Sequence, residues 1–221
     1  MSDTAGDVRR HFDGAVEEFD AIYTGAGKGR FGHILDLVFR SDMYERLALT
    51  LDRARPAAGR RILDIGCGTG RMAIPLAVEG GEVTGIDFAP AMIERARDLA
   101  RAAGVDQRCR FEVADFLARD WDRPFDICLA IGVFDYLDAP LPFLQRMVAV
   151  TRDRWIATFP RRHTWRAPVR KWRLARRGCP VFFFDRGAVR RLARAAGSEL
   201  AELRRVGKIY FVVGSGGASR G

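Results

Sequence analysis

Short apolar runs alternate with helical patterns along the middle of the chain. The apolar runs predict strands at 61–65, 82–86, 110–114, 126–131 and 155–159. The segments between them carry apolar residues at helical spacing and predict helices at 72–78, 90–103 and 140–150. Strands joined through helices pair in parallel, so this part of the chain predicts a doubly wound sheet with helices on both faces.

The two ends of the chain depart from this alternation. Residues 1–55 carry helical patterns broken by glycines and predict an N-terminal helical lid. Asp185 is a typical N-cap for a further helix. Two strand patterns, at 199–206 and 209–213, predict an antiparallel hairpin, and the polar residues 215–221 predict a disordered tail.

These elements together predict one α/β domain. Its sheet is expected to be seven-stranded and mostly parallel, with an antiparallel C-terminal hairpin. The expected domain covers residues 56–214, follows the lid of residues 1–55, and contains an insertion at 161–180.

Composition narrows the class of protein. Of the 221 residues, 48% are hydrophobic and 29% charged, which is typical of globular chains. There is no apolar run of about 18 residues and no apolar signal core near the start, so we expect a cytoplasmic location. The four cysteines form no C-x-x-C pair, so we expect reduced thiols and no metal site.

The net charge of +9 permits an acidic partner, such as nucleic acid, an anionic membrane surface or an acidic substrate. An arginine excess is also typical of GC-rich genomes. The charge is concentrated in residues 161–177, where eight basic residues are interleaved with Trp165 and Trp172. This segment could clamp an acidic substrate or lie against an anionic membrane, and the alternative is a solvated face over buried tryptophans.

A glycine-rich loop follows the first predicted strand and leads directly into a helix. The strand ends in Asp64-Ile65, and the loop is Gly66-Cys67-Gly68-Thr69-Gly70. Residues without a Cβ let the backbone turn tightly and approach a ligand closely. The N–H groups at the start of the helix favour a carboxylate or a phosphate.

Three further residues end the next three predicted strands. Asp87 and Asp115 could accept hydrogen bonds from hydroxyl or amine groups, and Gly132 leaves room beside them. Each aspartate alone could instead cap a helix or form a turn. Because the carboxyl ends of parallel strands meet at one edge of a sheet, the four features together predict a ligand site at that edge.

These residues resemble the class I S-adenosylmethionine-dependent methyltransferases. The matching segments are 63–70, 85–92 and 114–116. The G-x-G-x-G spacing differs from the G-x-G-x-x-G of nicotinamide enzymes. The resemblance implies a doubly wound sheet ending in an antiparallel hairpin, and it implies S-adenosylmethionine as cofactor.

The resemblance also implies which residues contact each part of the cofactor. Those at the methionine end are Asp64, Gly66, Cys67, Gly68, Gly70, Ile131 and Gly132. Those around the ribose and the adenine are Asp87, Phe88, Met92, Asp115 and Phe116. Tyr23 is similar to a lid residue over the cofactor, and the alternative is a half-buried surface tyrosine.

The expected reaction is methyl transfer to a small molecule. Such transfer needs alignment and exclusion of water, and a general base only where the acceptor carries a proton. The family's Asn/Asp-Pro-Pro-Tyr signature for N-methylation is absent after the fourth strand, which favours a small-molecule acceptor. The candidate catalytic residues are His163, Asp135 and Tyr136; a surface histidine and a simple turn are the alternatives.

Two other functions stay open on the sequence. The charge permits an RNA-modifying or nucleic-acid-binding protein, and the fold permits a binding protein without catalysis. The stretch 11–23 faintly resembles magnesium-protoporphyrin O-methyltransferases, whose substrate is acidic and membrane-associated, but the match is too short to identify the acceptor. The sequence does not indicate an oligomeric state.

Overall fold

The structure is a computed structural model, and it describes residues 44–162 and 181–218. The helices in this part of the chain are α1 (44–54), α2 (Ala73–Val78), α3 (Pro90–Ala102), α4 (Pro140–Ala149) and α5 (Arg186–Ala195). The strands are β1 (Arg61–Ile65), β2 (Glu82–Asp87), β3 (Cys109–Val113), β4 (Phe125–Ala130), β5 (Thr151–Pro160), β6 (Leu200–Val206) and β7 (Ile209–Ser215).

All seven strands form one sheet in the order β3-β2-β1-β4-β5-β7-β6. The pairs from β3 to β5 are parallel, and β7 is antiparallel to both β5 and β6. The predicted fold class is therefore confirmed. The strand order runs outward from β1 through β2 to β3 and then returns to β4. The loops after β1 and β4 thus flank the point where the order reverses, where open α/β sheets bind ligands.

The sheet separates two apolar cores. One contains the inward faces of α2 and α3, and the other contains those of α4 and α5. Strand β4 is buried at every residue, as expected for a central strand covered on both faces. Helices on both faces make the central strands a fixed platform for the loops at their ends.

Strand β5 begins earlier than the sequence pattern predicts. Its first residues, Thr151-Arg152-Asp153-Arg154, are polar and suggest a loop, yet they pair with β4 and β7. Their charges are compensated locally: Arg152 donates to Asp126 at 3.0 Å, and Arg60 lies 3.8 Å from Asp153. Ion pairing at the end of the sheet thus replaces the apolar pattern on which the prediction depended.

The prediction of a disordered tail from residue 215 is wrong for residues 215–218. Ser215 belongs to β7, and the N–H groups of Gly216, Gly217 and Ala218 donate to backbone carbonyls at 2.9 Å each. The tail glycines are needed for packing. A Cβ on Gly216 would lie 2.3 Å from the Thr151 carbonyl oxygen.

Helix α1 represents the predicted lid within the described residues. Leu47, Leu49 and Leu51 pack against the core that contains α2 and α3. Arg53 donates to Glu202 of β6 at 2.6 Å, which ties the helix to the antiparallel hairpin. Within residues 44–162 and 181–218, the structure has no helix with the length and apolar character that crossing a membrane requires. Most of the lid and of the 161–180 insertion lies outside the described residues.

Candidate active site

The glycine loop wraps the carboxyl end of β1 and is held by the end of β2. The N–H groups of Gly66 and Cys67 both donate to the Ile86 carbonyl, at 2.8 and 3.0 Å. Gly66, Gly68 and Gly70 all have positive φ angles, of 69°, 53° and 83°. Because other residues rarely adopt this conformation, the loop follows its path only with glycine at these positions.

Asp87 connects the loop to the start of α3. One carboxylate oxygen accepts from the Gly68 N–H at 2.9 Å, and the other accepts from the Ala89 N–H at 3.0 Å. These two bonds fix the orientation of the carboxylate at the carboxyl end of β2.

Asp64 lies beneath the loop and is almost completely buried, at 2% exposure. Its Oδ2 atom has no hydrogen-bond partner among the residues that the structure describes. Burial and, to a smaller extent, repulsion from the Asp87 carboxylate raise the pKa of Asp64 to about 7, against the opposing effect of the Ala73 N–H. A buried carboxyl oxygen without a donor is costly, and a ligand donor would relieve that cost.

The loop after β4 meets the glycine loop closely. A Cβ on Gly66 would lie 2.7 Å from the Val133 side chain. The two loops can therefore pack this closely only because Gly66 has no Cβ. Gly132 has a φ of 83° and donates its N–H to the buried Thr158 hydroxyl at 2.8 Å. A Cβ on Gly132 would find its nearest atom, the Nη1 of Arg46, at 3.8 Å. An arginine of α1 thus reaches the carboxyl end of β4.

Asp115 and Phe116 follow β3 at the same edge. One oxygen of Asp115 accepts from the Leu117 N–H at 2.8 Å, which is the turn arrangement that the sequence left open as an alternative. The Asp115 side chain remains exposed, so it can still accept from a ligand. Phe116 is 2% exposed and packs against Phe143 with ring centroids 4.9 Å apart. Its ring therefore belongs to the core.

The other predicted contact residues have contrasting surroundings. Phe88 is 38% exposed beside the end of β2, whereas Met92 is completely buried within α3. Ile131 is half-buried against the core. Cys67 is buried, and burial holds the pKa of its thiol well above the ordinary value. Cys67 is thus a neutral packing residue of the loop.

The candidate catalytic residues are only partly described. Asp135 is buried and Tyr136 is half-buried in the loop after β4. The Asp135 carbonyl accepts from the Phe182 N–H at 2.9 Å. His163 and Tyr23, the predicted lid residue, lie outside the described residues.

The insertion leaves and re-enters the domain beside this loop. The Arg162 N–H donates to the Phe184 carbonyl at 2.9 Å, and the Phe184 N–H donates to the Pro160 carbonyl at 2.8 Å. The ring of Phe184 lies 5.2 Å from Phe159, which in turn lies 4.2 Å from Phe134. The described residues on either side of 163–180 therefore lie next to the loop that carries Asp135.

Three residues at this edge escaped the sequence analysis: Arg46, Val133 and Thr158. Thr158 carried a usable signal, since it is a polar residue inside the apolar run of β5. Arg46 carried none, because only the path of α1 brings one particular arginine to β4. Among the described residues, no group of three or more histidine, cysteine, aspartate or glutamate side chains could hold a metal ion.

Residues 62–154 match the family model described as a methyltransferase domain. The chain is 40% identical over 94 residues to a ubiquinone biosynthesis O-methyltransferase of Maricaulis maris. That match covers 42% of this chain and 37% of the relative. It is 34% identical over 140 residues to the protein of the same name from Azorhizobium caulinodans. That match covers 59% of this chain and 53% of the relative. The chain thus spans about half or less of the length of these relatives.

Two solved structures share the fold across nearly the whole chain. Magnesium protoporphyrin IX methyltransferase from Synechocystis PCC 6803, with bound SAH, has a TM-score of 0.77 at 18% identity and covers 95% of this chain and 98% of its own. The [4+2]-cyclase SpnF has a TM-score of 0.72 at 17% identity and covers 96% of each chain. One fold therefore accompanies both a methyltransferase and a cyclase, so the activity must be argued from the site.

Proposed function

We propose that this chain, a member of the class I S-adenosylmethionine-dependent methyltransferases, transfers a methyl group from S-adenosylmethionine to a small-molecule acceptor. One observation carries the proposal. The carboxyl edge of the sheet brings together a buried carboxyl oxygen without a donor among the described residues, a carboxylate whose orientation two backbone N–H groups fix, and an arginine. These three groups are Asp64, Asp87 and Arg46.

The groups on this edge fit the parts of the cofactor. Asp87 would accept hydrogen bonds from the ribose hydroxyls. Arg46 would attract the cofactor's carboxylate, and Asp64 its ammonium group, because each supplies the opposite charge in a partly dry site. When bound, the cofactor supplies an activated methyl group. The chain's own contribution is to hold and orient it and to exclude water.

Phe88 and Asp115 would meet the adenine. Both are exposed at the edge, on the β2 and β3 sides of the loop. Met92 and Phe116 would stabilise the adenine site through packing and would not contact the ring, because their side chains are buried in the core. Gly66, Gly68, Gly70, Ile131 and Gly132 would shape the methionine end through their backbone, and Tyr23 would cover it.

The acceptor would lie beside the loop after β4. That loop carries Asp135 and Tyr136 and lacks the Pro-Pro-Tyr signature of N-methylation. The ends of the basic insertion are anchored next to it, so residues 163–180 would contribute to the acceptor site. Their positive charge would favour an acidic molecule. Relatives named ubiquinone biosynthesis O-methyltransferases support a hydroxyl acceptor, for which Asp135, Tyr136 or His163 would take the proton.

The proposal is tested by following S-adenosylhomocysteine release with labelled S-adenosylmethionine. The acceptors offered are phenols that carry a carboxylate, the same phenols as neutral amides, and bulk tRNA and rRNA. We expect turnover with small phenols and faster turnover with the acidic members. No turnover with any small acceptor, together with labelling of RNA, would overturn the small-molecule proposal.

RNA modification is the second candidate, and one observation favours it. Arg186, Arg190 and Arg194 follow one another at four-residue spacing on α5, and all three are exposed. Such a row suits a phosphate backbone. If RNA is the acceptor, binding to tRNA or rRNA should weaken steeply with salt, and replacing the three arginines with glutamine should reduce the salt dependence.

A further inference from the structure

We propose that Asp64 is protonated in the cofactor-free protein and releases its proton when the cofactor binds, so that recognition of the ligand's positive charge is coupled to proton exchange. The inference rests on the proposed function, because it needs the cofactor's ammonium group near β1. The exchange is balanced: the carboxyl becomes a carboxylate, its proton passes to the buffer, and the ligand cation takes the proton's place. Asp64 would thereby determine specificity for charged ligands.

The position of Asp64 on β1 explains why its charge is not compensated. It lies between Gly85 of β2 and Leu129 of β4 in the sheet register, and neither carries a charge. The side chain is 2% exposed, and Oδ2 has no hydrogen-bond partner within the described part of the chain. An ionised carboxylate here lacks both water and a second donor, so the neutral form is favoured.

The surrounding titratable groups add to this effect. Asp87 at the end of β2 repels a charge on Asp64. The nearby thiols of Cys67 in the loop and Cys109 in β3 are neutral, since burial holds the pKa of Cys67 well above its ordinary value and that of Cys109 at about 11.

Arg46 of α1 lies beside Gly132 and Arg71 follows the glycine loop, and both have interaction partners of their own. The N–H of Ala73 is the one group that lowers this pKa, and it does not offset burial and Asp87, so the pKa is raised to about 7.

A cationic ligand changes this balance. A positive group near Oδ2 attracts the ionised carboxyl, and the interaction is strong because the site excludes water. With a pKa of about 7 in the free protein, the released amount is about 0.9 proton at pH 6, about 0.5 at pH 7 and about 0.1 at pH 8. A ligand without a positive end should bind with no such release.

Calorimetry measures the exchange directly. S-adenosylhomocysteine is titrated into the full chain at pH 6, 7 and 8, in buffers that differ in ionisation enthalpy, and the slope of the observed enthalpy gives the number of protons. We expect release that declines with pH in the wild type and in the control Asp122→Asn, whose carboxylate is exposed. We expect none in Asp64→Asn. The neutral ligand 5′-methylthioadenosine should release none from the wild type, which tests the inference without any variant.

The failures are distinguishable. Binding of S-adenosylhomocysteine with no proton release at pH 6, with proton uptake, or with the same release in Asp64→Asn overturns the inference and leaves the proposed function intact. Equal release with 5′-methylthioadenosine also overturns it. No binding of S-adenosylmethionine or S-adenosylhomocysteine to the wild type at millimolar ligand overturns the proposed function and the inference together.

Discussion

Gly66 is the residue at which the glycine loop and the loop after β4 depend on each other. Its φ is 69°, and a Cβ there would stand 2.7 Å from Val133. Gly66→Ala therefore adds both backbone strain and overpacking, and we expect it to lower the free energy of unfolding by about 2 to 4 kcal/mol. Denaturant unfolding measures the loss.

A second substitution separates the two causes. Adding Val133→Ala to Gly66→Ala removes the clash and leaves the backbone strain. The double variant should therefore be more stable than the sum of the two single changes predicts, by more than half of the loss measured for Gly66→Ala. A Gly66→Ala protein as stable as the wild type would show that the two loops do not pack as described.

Asp64 makes the stability of the cofactor-free protein depend on pH. Its pKa is about 7 in the folded protein and about 4 in an unfolded chain. The folded state therefore binds more protons at Asp64 between these values, and the contribution of Asp64 to the free energy of unfolding falls as the pH rises from about 4 to about 7, then levels off. Unfolding at pH 5, 6, 7 and 8 should show this decline in the wild type. The curve for Asp64→Asn should lack it; parallel curves for the two proteins would contradict the assignment.

At the scale of elements, helix α1 depends on β6 for its position. Arg53 donates to Glu202 at 2.6 Å, and the same helix brings Arg46 to Gly132. Glu202→Gln should weaken cofactor binding about two- to fivefold, as expected for a partly exposed ion pair. Added salt should reduce the difference in cofactor affinity between Glu202→Gln and the wild type, because salt screens the ion pair. Glu199→Gln, an exposed change on the turn before β6, should bind as the wild type does; an equal loss in both would exclude a specific role for the pair.

The end of β7 depends on one glycine for its packing against β5. Gly214→Ala places a Cβ 2.3 Å from Trp155, so we expect a loss of about 1 to 3 kcal/mol of folding free energy. Replacing Trp155 with phenylalanine removes the colliding ring atoms. Trp155→Phe should therefore cost less in the Gly214→Ala background than in the wild type. Strict additivity in denaturant unfolding would contradict this packing.

At the scale of the whole molecule, the sequence predicted what repeats and missed what is irregular. The alternation of apolar runs and helical patterns predicted the parallel sheet, and its carboxyl ends predicted the edge that carries Asp64, Asp87 and Gly132. The start of β5 was missed because ion pairs such as Arg152–Asp126 replace apolar burial there.

The C-terminal residues were misjudged because composition does not reveal why a glycine is present. Gly216 suggests flexibility in a sequence, yet in the structure a Cβ at this position would lie 2.3 Å from the Thr151 carbonyl oxygen. Arg46 was missed for a different reason, since its role depends on where α1 docks and no local pattern encodes that. The proposed roles of Tyr23 and His163 stay predictions, because both residues lie outside the described part of the chain.

Calorimetric titration of the wild type, Asp87→Asn and Asp122→Asn with S-adenosylhomocysteine tests the central claim most directly. Asp87→Asn loses the charge that accepts ligand hydrogen bonds, so its affinity should fall roughly ten- to a hundredfold. Asp122 is exposed on the segment before β4, away from the carboxyl edge, and its variant should bind as the wild type does. Saturable binding that only Asp87→Asn weakens is the predicted result. Absence of binding to the wild type at millimolar ligand, or equal affinity in all three proteins, would contradict the account.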